Sequence, residues 1–392
     1  MALEISKGTV INGYRIDGLL SDDGNFAIVY LAFDTDMARV QARRERIAGR
    51  LGRWRERYGD AAAQTRIDPG PYVALKEFFP QSFGIRRSRN MVAAAGGQGD
   101  VFAWGRERFL RESEFLADHS HPNVVAVFDR FSAHNTEYYV MERLAGGSLK
   151  KLVAGGQVQS EAQVLAWMGP ILDALGSIER RNANHLDISP SNIMFRTAGG
   201  DPVLVDFGAA RISGSTPVHK SRLVVTDPYS GPEKYHQTSS RLNASTDVYA
   251  LGATAFYALS GADPIAGNSR RTDGPPVGSA AFGRIRHNVS ERIVHALEKA
   301  CDLDQSKRFD SAAAFAAALG LAHTTTPVNV VSRSLETAAQ SGVRGAPQSR
   351  PGTTLVAQKG DSRKLVLMLG CGLVVLLLLI AVIIAIPQNA HS

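Results

Sequence analysis

The chain has 392 residues, of which 44% are hydrophobic and 21% charged, and its formal net charge is +7. Its only two cysteines are Cys301 and Cys371, which excludes a disulfide framework and indicates that the folded part of the chain is cytosolic. The positive charge is concentrated in Met37–Tyr58, where eight arginines stand against two glutamates. Because no recognisable nucleic-acid-binding motif accompanies this segment, we expect no nucleic-acid partner.

The N-terminal part is predicted to begin with a β-hairpin. Residues 10–33 alternate apolar and polar side chains around a turn that contains Gly24. Residues 1–20 lack a basic segment followed by an apolar core, so we expect no cleavable secretion signal. Residues 37–71 then form an insertion before the strand that contains Lys76.

The insertion contains a predicted helix with one apolar stripe. Its apolar residues recur at helical spacing among the arginines: Val40, Ile47, Leu51, Trp54 and Tyr58. Gly49 and Gly52 each weaken such a helix by up to about 1 kcal/mol, so we expect it to form on a surface. Two interpretations remain open. Either segment 37–58 rests on an anionic membrane leaflet, or its stripe packs on the N-terminal part of the protein and its arginines are solvated.

Two short motifs in the middle of the chain are the most informative feature. Residues His185–Asn192 read His-Leu-Asp-Ile-Ser-Pro-Ser-Asn, and Val205–Gly208 reads Val-Asp-Phe-Gly. Phosphoryl transfer needs a carboxylate that orients and deprotonates a hydroxyl, for which Asp187 is the candidate, and oxygen ligands for metal ions, for which Asn192 and Asp206 are the candidates. Either motif alone could be a solvated turn or a chance tripeptide. Together, in this order and at this spacing, they resemble the catalytic and metal-binding loops of the eukaryotic-like protein kinases.

The resemblance to this family extends from about Gly13 to Leu321. Val73-Ala74-Leu75-Lys76 resembles the strand whose lysine contacts the α- and β-phosphates, and the helical segment Arg108–Glu112 offers Glu112 as its ion-pair partner. Further motifs follow in the order of the family: His121–Val125, Tyr139–Leu144, Gly231–Glu233, Ser245–Gly252 and Arg308. The resemblance, closest to bacterial members, implies that Asp247 anchors the catalytic loop and that Arg308 pairs with Glu233.

The resemblance also implies a set of site residues and cofactors. It assigns catalysis to Asp187 with Lys76 and Glu112, and the metal to Asn192 and Asp206. The cofactors it implies are ATP and Mg²⁺ or Mn²⁺. The residues implied in nucleotide binding are Gly24, Phe26, Val29, Ala74, Lys76, Glu142 and Leu144, the last two of which would meet adenine through their backbone groups.

Several positions depart from the family pattern. The segment Asp22–Val29 keeps only the middle glycine of the phosphate-covering loop and adds two aspartates, which predicts weaker nucleotide binding. Leu186 replaces the arginine that would clamp a phosphorylated activation segment. Ser189 stands where serine/threonine kinases usually place a lysine that touches the γ-phosphate. Thr226 matches the threonine that supports Asp187 in serine/threonine kinases, which favours serine and threonine hydroxyls as substrates.

Two other functions remain as alternatives. A pseudokinase scaffold would use the same fold without phosphate transfer, and the degenerate loop and Ser189 favour it. A small-molecule kinase shares the same aspartate and asparagine chemistry, but the Gly231–Glu233 motif and Arg308 favour the protein kinases. We expect autophosphorylation in the Ser- and Thr-rich stretches Ser213–Thr226 and Thr324–Thr354.

The C-terminal part is predicted to anchor the chain in a membrane. Residues 323–364 are rich in Thr, Ser, Gly and Pro and predict a disordered linker. Residues 365–386 form an uninterrupted apolar run, which as a helix would span roughly 33 Å, enough for a bilayer core of about 30 Å. Lys359, Arg363 and Lys364 precede this run, and the short tail 387–392 carries no lysine or arginine, so the kinase domain is expected in the cytoplasm and the tail outside it.

The sequence therefore predicts an α+β protein with a two-lobed protein kinase fold, comprising a small β-rich N-lobe and a larger helical C-lobe, over residues 10–322. One transmembrane helix follows. The predicted function is that of a single-pass serine/threonine protein kinase of the inner (cytoplasmic) membrane, with protein substrates and, through segment 37–58, a contact with anionic lipid. The substrate, the activating signal and the pathway are not encoded in any recognisable motif.

Overall fold

The structure, a computed structural model, describes residues 4–21, 26–59, 65–208, 211–212, 228–235, 242–269 and 279–321. The chain divides into two compact units, Met1–Val328 and Asn329–Ser392, and all described residues belong to the first. The predicted linker 323–364, membrane span 365–386 and tail 387–392 lie outside the described residues. Within the described ranges, no helix combines the length and the apolar character needed to cross a bilayer.

The first half of this unit is built mainly of β-strands. They are β1 (Val10–Ile11), β2 (Tyr14–Ser21), β3 (Ala27–Asp34), β4 (Tyr72–Phe78), β5 (Gly84–Arg86), β6 (Val92–Ala94), β7 (Val127–Ala133) and β8 (Thr136–Met141). Six of them form one antiparallel sheet in the order β1-β2-β3-β4-β8-β7, and β5 pairs with β6 in a separate hairpin. The packed core already includes Ile5, which precedes the predicted start of the domain.

The register of the sheet decides which residues share a face. Alternate residues of β3 are buried, whereas Val29 and Leu31 between them are only partly buried. Val29 lies directly opposite Lys76, and Leu31 opposite Ala74. Because directly opposite residues of antiparallel strands point to the same face, these four side chains line one side of the sheet.

Two long helices accompany the sheet, α1 (Met37–Tyr58) and α2 (Gly99–Asp118). Helix α1 occupies the predicted insertion and begins at Asp36, whose side chain accepts hydrogen bonds from the amides of Ala38 and Arg39. Its apolar stripe packs on the protein, because Ile47 and Trp54 form a small second core together with Ile67 and Ala126.

The packing of α1 decides between the two interpretations of the insertion. The hypothesis that the apolar stripe faces a membrane is wrong, because the protein itself covers that stripe. The expectation that all arginines of the helix are solvated is also wrong for Arg43, which is 1% exposed and forms an ion pair with the buried Asp34. The exposed face of the helix carries Arg44, Arg46 and Arg53.

The second half of the unit is mainly helical. Its helices are α3 (Leu149–Ala154), α4 (Glu161–Glu179), α5 (Pro232–Tyr235), α6 (Ala244–Ser260), α7 (Ser279–Asn288), α8 (Glu291–Ala300) and α9 (Ala312–Ala318). Short strands β9 (Ala183–Asn184), β10 (Ile193–Phe195), β11 (Pro202–Leu204) and β12 (Arg211–Ile212) pair as β10 with β11 and β9 with β12. Every residue of α6 from Ser245 to Ser260 is buried, so this helix forms the centre of the helical part. The expected α+β architecture with a small β-rich N-lobe and a larger helical C-lobe is confirmed.

Candidate active site

Lys76 lies in β4, and its ammonium group contacts two carboxylates from different parts of the chain. Its Nζ is 2.9 Å from Oε1 of Glu112 on α2 and 3.2 Å from Oδ1 of Asp206, which follows β11. The hydroxyl of Tyr139, the cross-strand neighbour of Lys76 on β8, donates to the same Glu112 oxygen at 2.9 Å. The amide of Phe207 donates to that oxygen at 3.2 Å. Glu112 therefore links helix α2 to the sheet and to the segment that carries Asp206.

The electrostatics of this group keep Lys76 and Asp206 charged. Burial by itself would lower the pKa of Lys76, but the carboxylates of Asp206 and Glu112 outweigh it and hold the pKa well above its usual value. Desolvation would raise the pKa of Asp206, but the nearby ammonium of Lys76 and its hydrogen bond hold that pKa below the usual value. Lys76 and Asp206 are therefore both ionised at neutral pH.

Helix α6 holds the loop that contains Asp187 in place. Asp247 on this helix accepts hydrogen bonds from the amides of His185, at 2.8 Å, and Leu186, at 2.7 Å. Leu186 has a φ of 62°, a left-handed conformation that directs consecutive amides towards one carboxylate. The His185 ring accepts from the Asp187 amide at Nδ1 and lies 3.2 Å from the Val205 carbonyl at Nε2. This role of Asp247 agrees with the sequence prediction.

Asp187 and Asn192 lie side by side at the end of this loop. Asn192 Nδ2 donates to the Asp187 carbonyl at 2.7 Å and to its carboxylate Oδ2 at 3.2 Å. The Asn192 carbonyl accepts from the Val205 amide at 3.0 Å, which connects this pair to the strand preceding Asp206. The side chains of Asp187 and Asp206 are 40% and 41% exposed, whereas that of Lys76 is 8% exposed. The two carboxylates therefore remain accessible in a site whose lysine is buried.

The predicted nucleotide-binding residues are partly brought together. Val29, Ala74 and Lys76 lie on the same face of the sheet. Residues 142–145, here called the hinge, follow β8, and within the described part of the chain no hydrogen bond occupies the Leu144 amide or the Glu142 carbonyl. The family resemblance assigns the backbone groups of these two residues to adenine.

Two other residues that are predicted to contact the nucleotide, Gly24 and Phe26, precede the paired strands β3 and β4 in the chain. Gly24 lies outside the described residues. The ring of Phe26 packs against Phe83 and against Trp104 of helix α2, with ring centroids 6.0 and 6.3 Å apart, and its carbonyl accepts from the Phe79 amide. The structure therefore places the Phe26 ring beside helix α2, which packs on the face of the sheet that carries Lys76.

Of the three departures from the family pattern, Leu186 and Ser189 belong to the described residues, whereas residues 22–25 of the phosphate-covering loop lie outside them. Leu186 and Ser189 are both buried. Thr226 and most of the predicted activation segment lie outside the described residues. The predicted pair of Arg308 and Glu233 is confirmed as a bidentate contact, with nitrogen–oxygen distances of 2.8 and 2.9 Å.

Sequence reasoning missed three residues near the site. Tyr139 could have been found from its position opposite Lys76, but only once the strand register is known. Arg196 is buried and forms a bidentate ion pair with the Glu142 side chain, with nitrogen–oxygen distances of 2.8 and 3.1 Å. Lys234 Nζ lies 3.8 Å from Oδ1 of Asp187. Neither Arg196 nor Lys234 stands in a motif that assigns it a role.

Comparison with known proteins identifies the family. Residues 93–318 match the family model described as "Protein kinase domain", which is more than half of the chain, so the chain belongs to the protein kinase family. It is 30% identical over 237 residues to "Serine/threonine-protein kinase PknA" of Nostoc sp., covering 59% of this chain and 41% of that protein. It is 28% identical over 335 residues to "Serine/threonine-protein kinase PknJ" of Mycobacterium tuberculosis, covering 82% of this chain and 47% of that protein. The chain thus spans less than half the length of these two relatives.

Among solved structures, the fold is similar to that of "PpkA-294 apo form". The TM-score is 0.62 at 22% sequence identity, and the match covers 81% of this chain and all of the other. At this identity the likeness concerns the fold alone.

Proposed function

We propose that the protein is an ATP-dependent serine/threonine protein kinase. The observation that carries the proposal is the convergence of Lys76, Glu112, Asp187, Asn192 and Asp206, which come from separate elements and are connected by ion pairs and hydrogen bonds. Positioning and electrostatic stabilisation supply most of the catalysis in phosphoryl transfer, and these five side chains provide both. The bacterial relatives named as serine/threonine kinases support the choice of acceptor.

The roles of the residues follow from their contacts. Lys76, held by Glu112, binds the phosphates of ATP, and Asp187 orients the substrate hydroxyl and accepts its proton. The hydroxyl oxygen forms a bond to the γ-phosphorus while the bond from that phosphorus to the bridging oxygen breaks, and ADP leaves with the bond electrons. The backbone groups of Glu142 and Leu144 hold the adenine.

The residues present fit a divalent cation. The amide oxygen of Asn192 and the carboxylate of Asp206 are oxygen donors of the kind that Mg²⁺ and Mn²⁺ prefer, and Asp206 is accessible to the cleft. Two protein ligands suit Mg²⁺, which usually takes its remaining ligands from water and substrate phosphates. When bound, the cation neutralises charge on the transferring phosphoryl group.

The pseudokinase alternative rests on the degenerate loop and on Ser189. Against it, the ion pair of Lys76 and Glu112 is formed, and α2 and the Asp206 segment share the Glu112 carboxylate. Enzymes of this family require both that ion pair and the metal-binding aspartate in place. Because these groups are already in contact with one another, the structure favours an active kinase over a pseudokinase.

Replacing Asp206 by Asn tests the proposal. The change conserves volume but removes the charge from a proposed metal ligand, so labelling of the protein by radioactive ATP should disappear while the unfolding midpoint changes little. Asp118→Asn, at an exposed aspartate that ends helix α2, is the matched control. If the Asp206→Asn protein labels at the wild-type rate, the active-kinase assignment is refuted.

We further propose that residues 365–386 anchor the kinase in the cytoplasmic membrane with the catalytic unit in the cytoplasm. The supporting observations are the apolar run and the basic residues that precede it. Protease treatment of spheroplasts checks this: a C-terminal epitope tag should be removed from outside while the catalytic unit stays protected. Loss of the catalytic unit with retention of the tag would reverse the orientation.

The exposed arginines of α1 are proposed to contact anionic lipid. Because the apolar stripe is covered by the protein, this contact is electrostatic only and must weaken with salt. A protein ending at Val328 should sediment with anionic vesicles at low salt and not with neutral ones. Changing Arg44, Arg46, Arg53 and Arg55 to Gln should abolish sedimentation, and unchanged sedimentation excludes the helix as the lipid contact.

A further inference from the structure

A cation faces Asp187 from outside the catalytic loop. Lys234 lies on the short helix α5, its side chain is 11% exposed, and its ammonium is 3.8 Å from the Asp187 carboxylate. Burying a lysine is costly unless its charge has a close partner, and Asp187 is the partner of Lys234. Asp187 itself is 40% exposed and is the residue proposed to act on the substrate hydroxyl, so Lys234 lies beside the place where negative charge would accumulate during transfer.

The position of Lys234 is fixed by its neighbours. Glu233, the preceding residue, is buried in a bidentate contact with Arg308. Gly231 closes tightly over this carboxylate, since a Cβ there would come within 2.6 Å of Glu233 Oε1. The Lys234 amide donates to the Gly231 carbonyl at 3.1 Å. The backbone of Lys234 is therefore held by the buried ion pair between Glu233 of α5 and Arg308 in the chain after α8.

The catalytic loop lacks a cation of its own at this point. Ser189, two residues after Asp187, is buried and too short to reach a phosphate from the position that a lysine would use. The ammonium of Lys234 does reach this loop, since it lies 3.8 Å from the Asp187 carboxylate.

We propose that Lys234 is a catalytic residue that supplies, from helix α5, the positive charge that Ser189 does not provide. This proposal rests on the proposed kinase function and deepens it. As the substrate oxygen bonds to the γ-phosphorus and the bridging oxygen departs, the Lys234 ammonium donates a hydrogen bond to an oxygen of the transferring group. The proton of the hydroxyl goes to Asp187, and Lys234 keeps its own proton throughout.

The test uses steady-state phosphate transfer by the full-length protein, with radioactive ATP and casein as acceptor. Lys234→Met should lower kcat about 10- to 100-fold and change the KM for ATP less than about threefold, because the interaction forms in the transition state. Lys234→Arg keeps the charge and should retain more activity than Lys234→Met. The matched control is Lys307→Met, at an exposed lysine on a short helical turn of the C-lobe, which should leave kcat unchanged.

Relocating the lysine separates a catalytic role from a structural one. In the double variant Ser189→Lys/Lys234→Met, kcat should recover by at least about tenfold over Lys234→Met, because the charge returns to the same place from the other side. Ser189→Lys alone should change kcat by less than about twofold, since the charge is already supplied. A structural role predicts no rescue and a lower unfolding midpoint in both variants that lack Lys234.

Each outcome has one meaning. Wild-type kcat in Lys234→Met overturns the role of Lys234, as does failure of the double variant to recover. A several-fold gain in kcat for Ser189→Lys alone also overturns the role of Lys234. This variant leaves Lys234 unchanged, so the result does not depend on whether a change at Lys234 affects folding. If the wild-type protein transfers no more phosphate than Asp206→Asn, the proposed function itself fails and this proposal fails with it.

Discussion

At the scale of single residues, the site depends on side chains whose charges are matched pairwise. One oxygen of the Glu112 carboxylate accepts hydrogen bonds from three donors: the Lys76 ammonium, the Tyr139 hydroxyl and the Phe207 amide. A buried carboxylate needs such donors, because an unpaired buried charge costs several kcal/mol. The position of helix α2 and the position of the lysine are thus set by the same few hydrogen bonds.

Two neighbouring tyrosines of β8 offer a test of this arrangement. Tyr139→Phe removes one donor from Glu112 and should lower kcat/KM about three- to tenfold, corresponding to the roughly 1 kcal/mol of a buried hydrogen bond. Tyr138 points to the opposite face, where its hydroxyl donates to Glu77 at 2.7 Å. Tyr138→Phe should cost similar stability in urea unfolding without lowering transfer. Equal activity losses in the two variants would contradict a specific role for Tyr139.

At the scale of elements, the hinge is fastened at both ends by one residue. The Arg196 guanidinium binds the Glu142 carboxylate, and the Arg196 carbonyl accepts from the Ala145 amide at 2.9 Å. The Glu142 amide and carboxylate also pair with the carbonyl and amide of Ala126, both at 2.9 Å. Between these attachments, the Leu144 amide keeps a defined direction towards the proposed adenine position.

Breaking the hinge attachment should therefore affect ATP binding. Arg196→Met leaves the Glu142 carboxylate buried without its partner and should cost about 3–5 kcal/mol of unfolding free energy. The double variant Glu142→Met/Arg196→Met should recover much of that stability, because an apolar pair can replace a buried ion pair. Its KM for ATP should still rise several-fold in transfer assays, since the attachment is lost. A wild-type KM in the stable double variant would show that the pair does not position the hinge.

Helix α1 is a second element whose attachment is specific. Asp34, at the end of β3, is fully buried and pairs with both Arg39 and Arg43 of this helix. At the other end, Trp54 Nε1 donates to Ser120 Oγ at 3.0 Å, and the Tyr58 ring packs edge-on against His121. The helix thus connects β3 to the segment after α2.

Variants of two adjacent arginines separate the contribution of the buried ion pair of α1 from the contribution of an exposed charge on the same helix. Arg43→Met leaves Asp34 with one cation fewer and should destabilise the protein by about 3 kcal/mol. Arg44→Met changes an exposed residue of the same helix and should stay within about 0.5 kcal/mol of wild type. Urea unfolding followed by tryptophan fluorescence measures both. Equal effects would mean that the buried pair contributes nothing particular to the attachment of α1.

At the scale of the whole unit Met1–Val328, the segment after α2 connects the N-lobe to the C-lobe. His119 Nε2 is 3.0 Å from Ser177 Oγ, and His121 Nε2 is 3.2 Å from Asp173, with both partners on helix α4. The Phe207 ring packs on Phe115 of α2 and on His185 of the catalytic loop. The buried histidines make this junction sensitive to acid.

Burial lowers the pKa of His119 to about 4, with smaller contributions from His121, Arg181, Arg180 and Arg57. The unfolded chain takes up this proton near pH 6.5 and the folded protein does not, so stability is lost as pH falls through that value. Between pH 7.5 and 5.5, His119→Gln should lose about 1.4 kcal/mol less unfolding free energy than wild type. Urea midpoints at both pH values measure the difference. Parallel losses would show that His119 is protonated in the folded state as well.

The sequence by itself determined the family and identified the residues that are proposed to form the site. The residues of the Asp187 loop, Asp206, Lys76, Glu233 and Arg308 each stand in a short local motif. A pattern of this kind can be recognised wherever the chain contains it. The buried helix with Asp247 follows for the same reason.

Only the tertiary structure decided what depends on contacts between distant segments. Helix α1 shows an apolar stripe in sequence, but whether a membrane or the protein covers it depends on Ile67 and Ala126, which lie elsewhere in the chain. Arg196 and Lys234 are single basic residues without a motif, and their importance comes from the carboxylates that folding brings to them. Such pairings join residues far apart in the chain, and no local periodicity or spacing records them.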